Sequence, residues 1–277
     1  MQLAMTGDKI LALDELESVY FDRGIYFGDG VYEVVRSYNG KIFALEEHLS
    51  RFADSLSAIS ITGIDIGQIR SRIYRAFDAA GISNAKIYFH ITRGSALRDH
   101  IWNDNPEPNF FMTITELANF TNEKKHGIAV SIFPDWRWKK CDIKSLNLLP
   151  NVLARNDAAK KGCSEVVFVD EAGLITEGAG SSFLAIVDQT LRTAPLSANI
   201  LPSITRKFAI KAAKNIGLQI AEKSLTTQQA AHANELFIAV TTKDIIPVVK
   251  FDGNLIGNGK PGKYTKLLIE QFRSFIL

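Results

Sequence analysis

The spacing of apolar residues predicts helices and strands along the first half of the chain. Residues 45–59 carry apolar side chains at alternating steps of four and three, which is typical of an amphipathic helix. A second helix is predicted between an N-cap at Asp65 and a stop at Gly81, because a carboxylate caps free N–H groups and glycine tolerates the left-handed conformation. Alternation over 87–92 predicts a strand with one buried face, and 110–115 is a further strand candidate.

In the second half, predicted strands and helices follow one another without strict alternation, and this mixture favours an α+β fold over a doubly wound sheet. A polar stretch separates the two halves. We therefore predict an N-terminal α+β domain over 1–118, a linker over 119–127 and a C-terminal domain over 128–277. The elements predicted in the second half are strands over 128–133, 236–241 and 245–251, a hairpin over 166–175, and helices over about 150–161, over 204–216 and from 263.

Composition narrows the classes of function. The 277 residues include 32 basic and 30 acidic side chains, and a net charge of +2 does not indicate a nucleic-acid or membrane-surface partner. No apolar run approaches the roughly 20 residues that span a bilayer. Two cysteines cannot build a disulfide framework, so we expect a cytoplasmic protein. Cys-x-x-Cys and His-x-x-x-His spacings do not occur, and no metal site is predicted.

Three segments carry residue types that enzymes use, and each also has an ordinary structural interpretation. Asp22–Glu33 contains three glycines, which permit close backbone approach, or it is an ordinary glycine-rich loop that leads into a strand; the glycine spacing does not fit a dinucleotide site. Lys144 lies in an apolar stretch, where an ammonium group loses its proton more easily and becomes a nucleophilic amine. Alternatively, the amino end of its side chain reaches water. Glu177 precedes five small residues that would let a flat ligand approach the backbone, or it is a solvated strand end.

Two further segments could bind anions. Ser203 begins a predicted helix whose free N–H groups could accept a phosphate, although most helix starts bind only water. Arg98 and His100 could together hold a carboxylate, or they are ordinary surface residues of a loop. Taken one at a time, these segments do not define a function.

The order of these segments along the chain resembles that of the fold-type IV enzymes that depend on pyridoxal 5′-phosphate (PLP), also called class IV aminotransferases. Within that family the sequence is most similar to D-amino acid transaminases. The resemblance implies a smaller N-terminal α+β domain and a larger C-terminal domain with a barrel-like sheet, with PLP between them. The segments that carry it most clearly are Asp22–Val35, Ile91–His100, Cys141–Leu149 and Thr176–Gly178.

The same resemblance assigns roles to individual residues. It implies that Lys144 binds PLP covalently and moves the substrate proton, and that Glu177 faces the pyridine nitrogen. Family members commonly have asparagine where this chain has Ser182, so the shorter side chain puts the strength of cofactor binding in question. The residues implied to hold the cofactor phosphate are Arg51, Ile204, Thr205 and Thr241.

For the substrate, the resemblance implies that Tyr32, Arg98 and His100 bind the α-carboxylate. Arg98 and His100 would come from the neighbouring subunit, so a homodimer is implied. The implied reaction is amino-group transfer between a D-amino acid and a 2-oxo acid, of the D-alanine or D-glutamate type. The alternatives within the family are elimination of pyruvate from 4-amino-4-deoxychorismate and, third, transamination of branched-chain L-amino acids.

Overall fold

The helices and strands are organised around two main β-sheets. The computed structural model describes residues 2–102, 107–197 and 199–276. Its strands are β1 (Leu3–Thr6), β2 (Lys9–Ala12), β3 (Gly30–Tyr38), β4 (Lys41–Ile42), β5 (Ala85–Thr92), β6 (Asn109–Glu116), β7 (Ile128–Pro134), β8 (Glu165–Val169), β9 (Ile175–Gly178), β10 (Ser182–Val187), β11 (Thr190–Thr193), β12 (Gln219–Glu222), β13 (Glu235–Val240), β14 (Asp244–Phe251) and β15 (Asn254–Leu255). Its α-helices are α1 (Arg23–Phe27), α2 (Leu45–Ala58), α3 (Ile66–Ala80), α4 (Thr121–His126), α5 (Leu149–Lys160), α6 (Ile204–Asn215), α7 (Thr227–Ala231) and α8 (Lys263–Arg273).

The first sheet has four antiparallel strands in the order β4-β3-β5-β6, all within residues 30–116. Buried and partly exposed residues alternate along β3 and β5. The apolar faces of α2 and α3 pack against the buried side of the sheet to form one core. Asp65 accepts N–H bonds from Gly67 and Gln68, and Gly81 adopts φ +63°, as predicted for the two ends of α3. Burial of this continuous apolar cluster is the main stabilising contribution in this half of the chain.

The second sheet has nine strands, eight of them in the order β12-β11-β10-β13-β14-β7-β8-β9, with β15 beside β14. Five strand-to-strand spacings separate β10 from β9 along this path, so the two strands would lie about 24 Å apart in a flat sheet. However, Gly178 ends β9 and Ser182 begins β10, and four residues span at most about 14 Å. The sheet must therefore curl into the barrel-like form implied by the resemblance, and the α+β prediction is confirmed.

Two segments differ from the sequence-based expectation. Arg23–Phe27, interpreted as part of a glycine-rich loop, forms the short helix α1, because Asp22 caps it and Gly28 ends it at φ +64°. The polar stretch interpreted as a linker contains α4, whose polar side chains gave no apolar period to detect. The division of the chain into two domains at 119–127 stays a prediction.

Asp244 connects three parts of the fold. Its buried carboxylate accepts hydrogen bonds from Arg36 of β3 at 3.1 Å, from Lys124 of α4 at 2.5 Å and from the Tyr38 hydroxyl of β3. Arg36 also donates to the carbonyl of Thr242 at 2.8 Å. These bonds attach the first sheet and α4 to the turn between β13 and β14, and that turn contributes to the cavity described below.

Replacing Asp244 by asparagine is expected to lower the free energy of unfolding by about 2–4 kcal/mol, because the two cations would lose their shared buried anion. Asparagine tolerates the positive φ of 65° found at this position, so the change tests the charge rather than the backbone. Urea denaturation measures the difference. Lys243→Gln removes a more exposed ion pair with Glu123 from the same turn and should cost less than about 1 kcal/mol. Equal losses of unfolding free energy in the two variants would contradict the role of Asp244 in connecting these parts of the fold.

Candidate active site

The segment that carries Lys144 pairs with the start of β3. Tyr32 N–H donates to the Lys144 carbonyl and Leu146 N–H donates to the Gly30 carbonyl, each at 3.0 Å. Gly30 is required by close packing on both sides, since a Cβ there would lie 2.6 Å from the Ile91 carbonyl oxygen of β5 and 2.9 Å from Leu146 Cδ1. The pairing places Lys144 Nζ 4.1 Å from the centre of the Tyr32 ring. Gly30 therefore allows the close approach that brings a lysine and a tyrosine together.

A cavity of about 260 Å³ opens beside Lys144, between the two sheets. It is lined by β3, by the 137–151 segment, by the small residues after Glu177, and by the turn that follows β13. Glu177 lies 6 % exposed in its wall. The predicted site residues that line this single cavity are Tyr32, Arg51, Lys144, Glu177 and Thr241.

Arg51 is held rigidly at the edge of the cavity. Its guanidinium makes two hydrogen bonds of 2.7 and 2.8 Å to the buried carboxylate of Glu33 and a third of 2.9 Å to the Pro202 carbonyl. A guanidinium has five N–H donors, so two are left for an anion in the cavity. His48 Nδ1 lies 2.8 Å from the same carboxylate. Burial works against ionisation of Glu33, but Arg51 and His48 outweigh it and lower its pKa to about 2.

The start of α6 lies next to Arg51. Ser203 lines the cavity, and its hydroxyl accepts the Arg206 N–H at 3.1 Å. The first N–H groups of a helix have no partner within the helix, which leaves those of Ile204 and Thr205 for an anion. The side chains of Ile204 and Thr205 do not line the cavity, since both are buried in the helix packing. Any contribution from these two residues would therefore come from their backbone.

Glu177 is fixed by a second arginine. Arg137 donates to Glu177 Oε1 at 2.5 Å, and the Leu201 N–H donates to the same oxygen at 3.0 Å. Arg137 is held in turn by two bonds to Asp135, both 2.8 Å long. Burial raises the pKa of Glu177, whereas Arg137, the Leu201 N–H and the nearby Lys144 oppose that rise. The second carboxylate oxygen, Oε2, is not engaged by Arg137 or Leu201.

The residues around the cavity fit PLP. Ser182 lies 3 % exposed in the wall, and within the described part of the chain its hydroxyl oxygen makes no hydrogen bond. A buried hydroxyl without a partner costs free energy, so this atom is suited to a polar group of a ligand. The spare donors of Arg51 and the start of α6 suit a phosphate, and Lys144 offers an amine to an aldehyde.

Arg98 and His100 lie outside this cavity, on the surface of the same chain. Both contact the ring of Phe27: the Arg98 guanidinium carbon lies 5.1 Å from its centre, and the His100 ring centre lies 5.3 Å away. The structure thus brings the two predicted carboxylate-binding residues together, but away from the Lys144 of their own chain.

Sequence reasoning missed Glu33, His48 and Arg137. Glu33 had a detectable signal, because it occupies an inward position of β3 between Val31 and Val35. A carboxylate on an apolar strand face needs a buried cationic partner. His48 and Arg137 had no comparable signal in their local sequence.

The sequence matches a known family. Residues 30–251 match the model of the amino-transferase class IV family, and the chain belongs to this family. The family prediction made from the sequence is therefore confirmed. Curated relatives include the D-alanine aminotransferases of Bacillus licheniformis and Staphylococcus haemolyticus, each 35 % identical to this chain. The alignments cover 92 and 95 % of this chain and 90 and 94 % of those proteins.

Solved structures give the same fold. The branched-chain amino acid aminotransferase of Escherichia coli superimposes with a TM-score of 0.88 at 23 % identity, over 96 % of this chain and 92 % of that one. Another branched-chain amino acid aminotransferase, solved with pyridoxamine 5′-phosphate, superimposes with a TM-score of 0.86 at 22 % identity, over 96 and 92 %. A putative 4-amino-4-deoxychorismate lyase from Legionella pneumophila superimposes with a TM-score of 0.81 at 20 % identity, over 92 and 94 %. The predicted two-part α+β architecture of the family is thereby confirmed.

Two kinds of feature are absent from residues 2–102, 107–197 and 199–276. No helix there combines the length and apolar character needed to cross a membrane. Within the same ranges, His, Cys, Asp and Glu side chains do not gather in a group of three that could hold a metal ion.

Proposed function

We propose that this protein transfers the amino group of a D-amino acid to a 2-oxo acid, with PLP bound in the cavity at Lys144. The observation that carries the proposal is the convergence of Lys144, Tyr32, Arg51, Glu177 and Thr241 on one cavity. The two relatives at 35 % identity carry the name D-alanine aminotransferase, which supports a substrate of the D-alanine type. The cytoplasmic location stays a prediction.

The chain's own residues account for the chemistry. PLP, when bound, supplies an aldehyde for amines and a ring that withdraws electrons from the substrate Cα. Lys144 Nζ, in contact with the face of Tyr32, would take the proton from the substrate Cα and later release it, acting first as base and then as acid. Glu177 would favour a protonated ring nitrogen by its charge, and Arg137 holds that carboxylate in place. Arg51 would bind the phosphate with its two spare donors.

The substrate carboxylate would be bound by Tyr32 of one subunit and by Arg98 and His100 of a second copy. Their surface position supports this arrangement, because within one chain they lie outside the cavity. Ile25 of α1 and Leu97 and Ile101 of the adjoining loop are also exposed, each more than 60 % accessible. Exposed apolar side chains on neighbouring elements favour a protein–protein contact, so we propose a homodimer whose active sites are shared.

A panel of half-reactions tests the proposal. The holoenzyme would be mixed separately with D-alanine, D-glutamate, their L-enantiomers, L-leucine and 4-amino-4-deoxychorismate, and conversion of the cofactor to its amine form followed by absorbance. We expect the two D-amino acids to react fastest. Faster conversion with an L-amino acid would favour a branched-chain-type transaminase, and pyruvate released from aminodeoxychorismate would favour the lyase.

Replacing Arg98 by alanine is expected to raise the KM for D-alanine by about ten- to a hundredfold, because a hydrogen bond to a charged group contributes about 1.5–3 kcal/mol. Bound PLP should be retained, since the residues proposed to hold it, Arg51, Lys144 and Glu177, are unchanged. Steady-state kinetics and cofactor absorbance measure the two effects. Arg72→Ala, which removes an arginine that stacks on Phe110 elsewhere on the first sheet, is the control and should leave KM unchanged. An unchanged KM in Arg98→Ala would contradict the carboxylate role.

A further inference from the structure

Helix α1 forms the support on which the loop carrying Arg98 and His100 rests. Arg23 N–H donates to the Gly94 carbonyl and Ala96 N–H donates to the Phe21 carbonyl, each at 3.0 Å. Beyond this backbone pairing, residues 97–100 are exposed. The conformation of the loop tip must therefore be set by a few specific contacts.

Arg23 supplies the strongest of these contacts. Its side chain is buried, and Nη1 and Nη2 donate to the carbonyls of Asp99 and His100 at 2.6 and 3.2 Å. Its Nε donates to Asp29 at 2.8 Å, which fixes the plane of the guanidinium. A planar group held on one edge by a carboxylate presents its other donors in fixed directions. Arg23 thus fixes the backbone at two of the three residues from Arg98 to His100.

Phe27, one turn further along α1, supplies the second contact. Its ring centre lies 4.9 Å from the Arg23 guanidinium carbon, 5.1 Å from that of Arg98 and 5.3 Å from the His100 ring. The ring attracts the two guanidinium groups by cation–π contact and packs against the imidazole of His100. The same helix therefore orients both the backbone and the side chains of this loop tip.

We propose that Arg23 and Phe27 are positioning residues for substrate binding, which orient Arg98 and His100 for the carboxylate of a D-amino acid in the neighbouring subunit. This inference rests on the proposed function. Segment 23–30 also leads directly into β3, where Tyr32 lines the cavity of its own chain. Residues 23–30 therefore contact the loop that would bind the carboxylate in the neighbouring subunit. They also lead to Tyr32, which would bind the carboxylate in its own subunit.

Arg93 provides a matched control for Arg23. It is equally buried and bonds the same Asp29 carboxylate at 2.9 and 3.0 Å. Its remaining donors bond the carbonyls of Ile59 and Ser60, and its guanidinium carbon lies 3.9 Å from the centre of the Trp102 ring, so these contacts are made outside residues 97–100. Replacing either arginine by lysine keeps the positive charge but removes the planar fork that bonds several acceptors at once.

The experiment combines hydrogen exchange with kinetics on the holoenzyme. In Arg23→Lys, amide exchange of residues 97–100 should be at least about fivefold faster than in wild type, since the two hydrogen bonds that hold the loop tip are weakened. In Arg93→Lys, exchange there should change by less than about twofold. Unchanged exchange in Arg23→Lys, or equal acceleration in both variants, would overturn the positioning role whatever the enzyme's substrate.

Kinetics then link the loop to the substrate. Arg23→Lys and Phe27→Leu should each raise the KM for D-alanine by about three- to thirtyfold, with kcat within about threefold and PLP content unchanged. In a background that lacks both oriented side chains, Arg98→Ala with His100→Ala, the same substitutions should raise KM by less than about twofold, because the residues they orient are gone. An equal rise in both backgrounds would indicate a general structural effect and refute the proposal. If Arg98→Ala alone leaves KM unchanged, the proposed carboxylate site fails instead, and with it the link to substrate, while the exchange result still decides whether Arg23 orders the loop.

Discussion

Replacing Lys144 by alanine is expected to lower transamination by at least about 10⁴-fold, because the variant loses both the nucleophilic amine and the group that moves the proton. The fold should survive the change. The neighbouring contacts of Lys144 use its backbone: its N–H donates to the Ser55 hydroxyl at 3.2 Å and its carbonyl accepts from Tyr32. Turnover with D-alanine and pyruvate measures the loss, and urea denaturation checks that stability is retained.

Two further measurements make the Lys144 assignment specific. Borohydride treatment of the wild-type holoenzyme, followed by trypsin, should attach the cofactor to the peptide that runs from Cys141 to Arg155, since modification prevents cleavage after Lys144. Lys140→Ala, four residues earlier, is the control and should retain both activity and labelling. Added methylamine should partly restore proton transfer in Lys144→Ala. A label on another lysine, or turnover within tenfold of wild type, would exclude Lys144 as the catalytic amine.

Local sequence predicted much of the scaffold because helices and strands have local periods. The helix predicted over 45–59 is α2, Leu45–Ala58, and the strand predicted over 87–92 lies within β5. The short helix α1 was not predicted, because five residues including a glycine contain too little apolar periodicity to distinguish a helix from a loop. Helix α1 also carries the contacts proposed to orient the substrate-binding loop.

The candidate site was predicted only in part, because its supporting groups are distant in sequence. Lys144 and Glu177 were identified through resemblance, since a lysine in an apolar stretch and a glutamate before small residues are individually common. The partner of Glu177, Arg137, lies 40 residues away, and the partners of Glu33 lie 15 and 18 residues away. Pairing between distant charges depends on the packing of the two sheets, which local patterns do not encode.

The pairing of Glu177 with Arg137 determines how the role of this carboxylate is best tested. Glu177→Lys would reverse the charge opposite the cofactor ring, but it would also bury an ammonium beside Arg137 and risk unfolding. Glu177→Gln removes the charge with little change in shape, and its amide oxygen can still accept the Leu201 N–H. The glutamine variant therefore separates catalysis from stability.

Glu177→Gln is expected to retain bound PLP but to lower kcat by about 10²–10³-fold, which is the usual effect of removing one electrostatic group that stabilises the transition state. The charge matters because a protonated ring nitrogen is what withdraws electrons from the substrate Cα. Stopped-flow half-reactions with D-alanine give the rate, and absorbance after denaturation gives the cofactor content. Asp135→Asn weakens the hydrogen bonds between Arg137 and its other carboxylate partner without altering the cavity wall. The kcat of this control variant should fall by less than about fivefold. If the two variants lose activity equally, the effect belongs to the placement of Arg137, and Glu177 does not act on the ring.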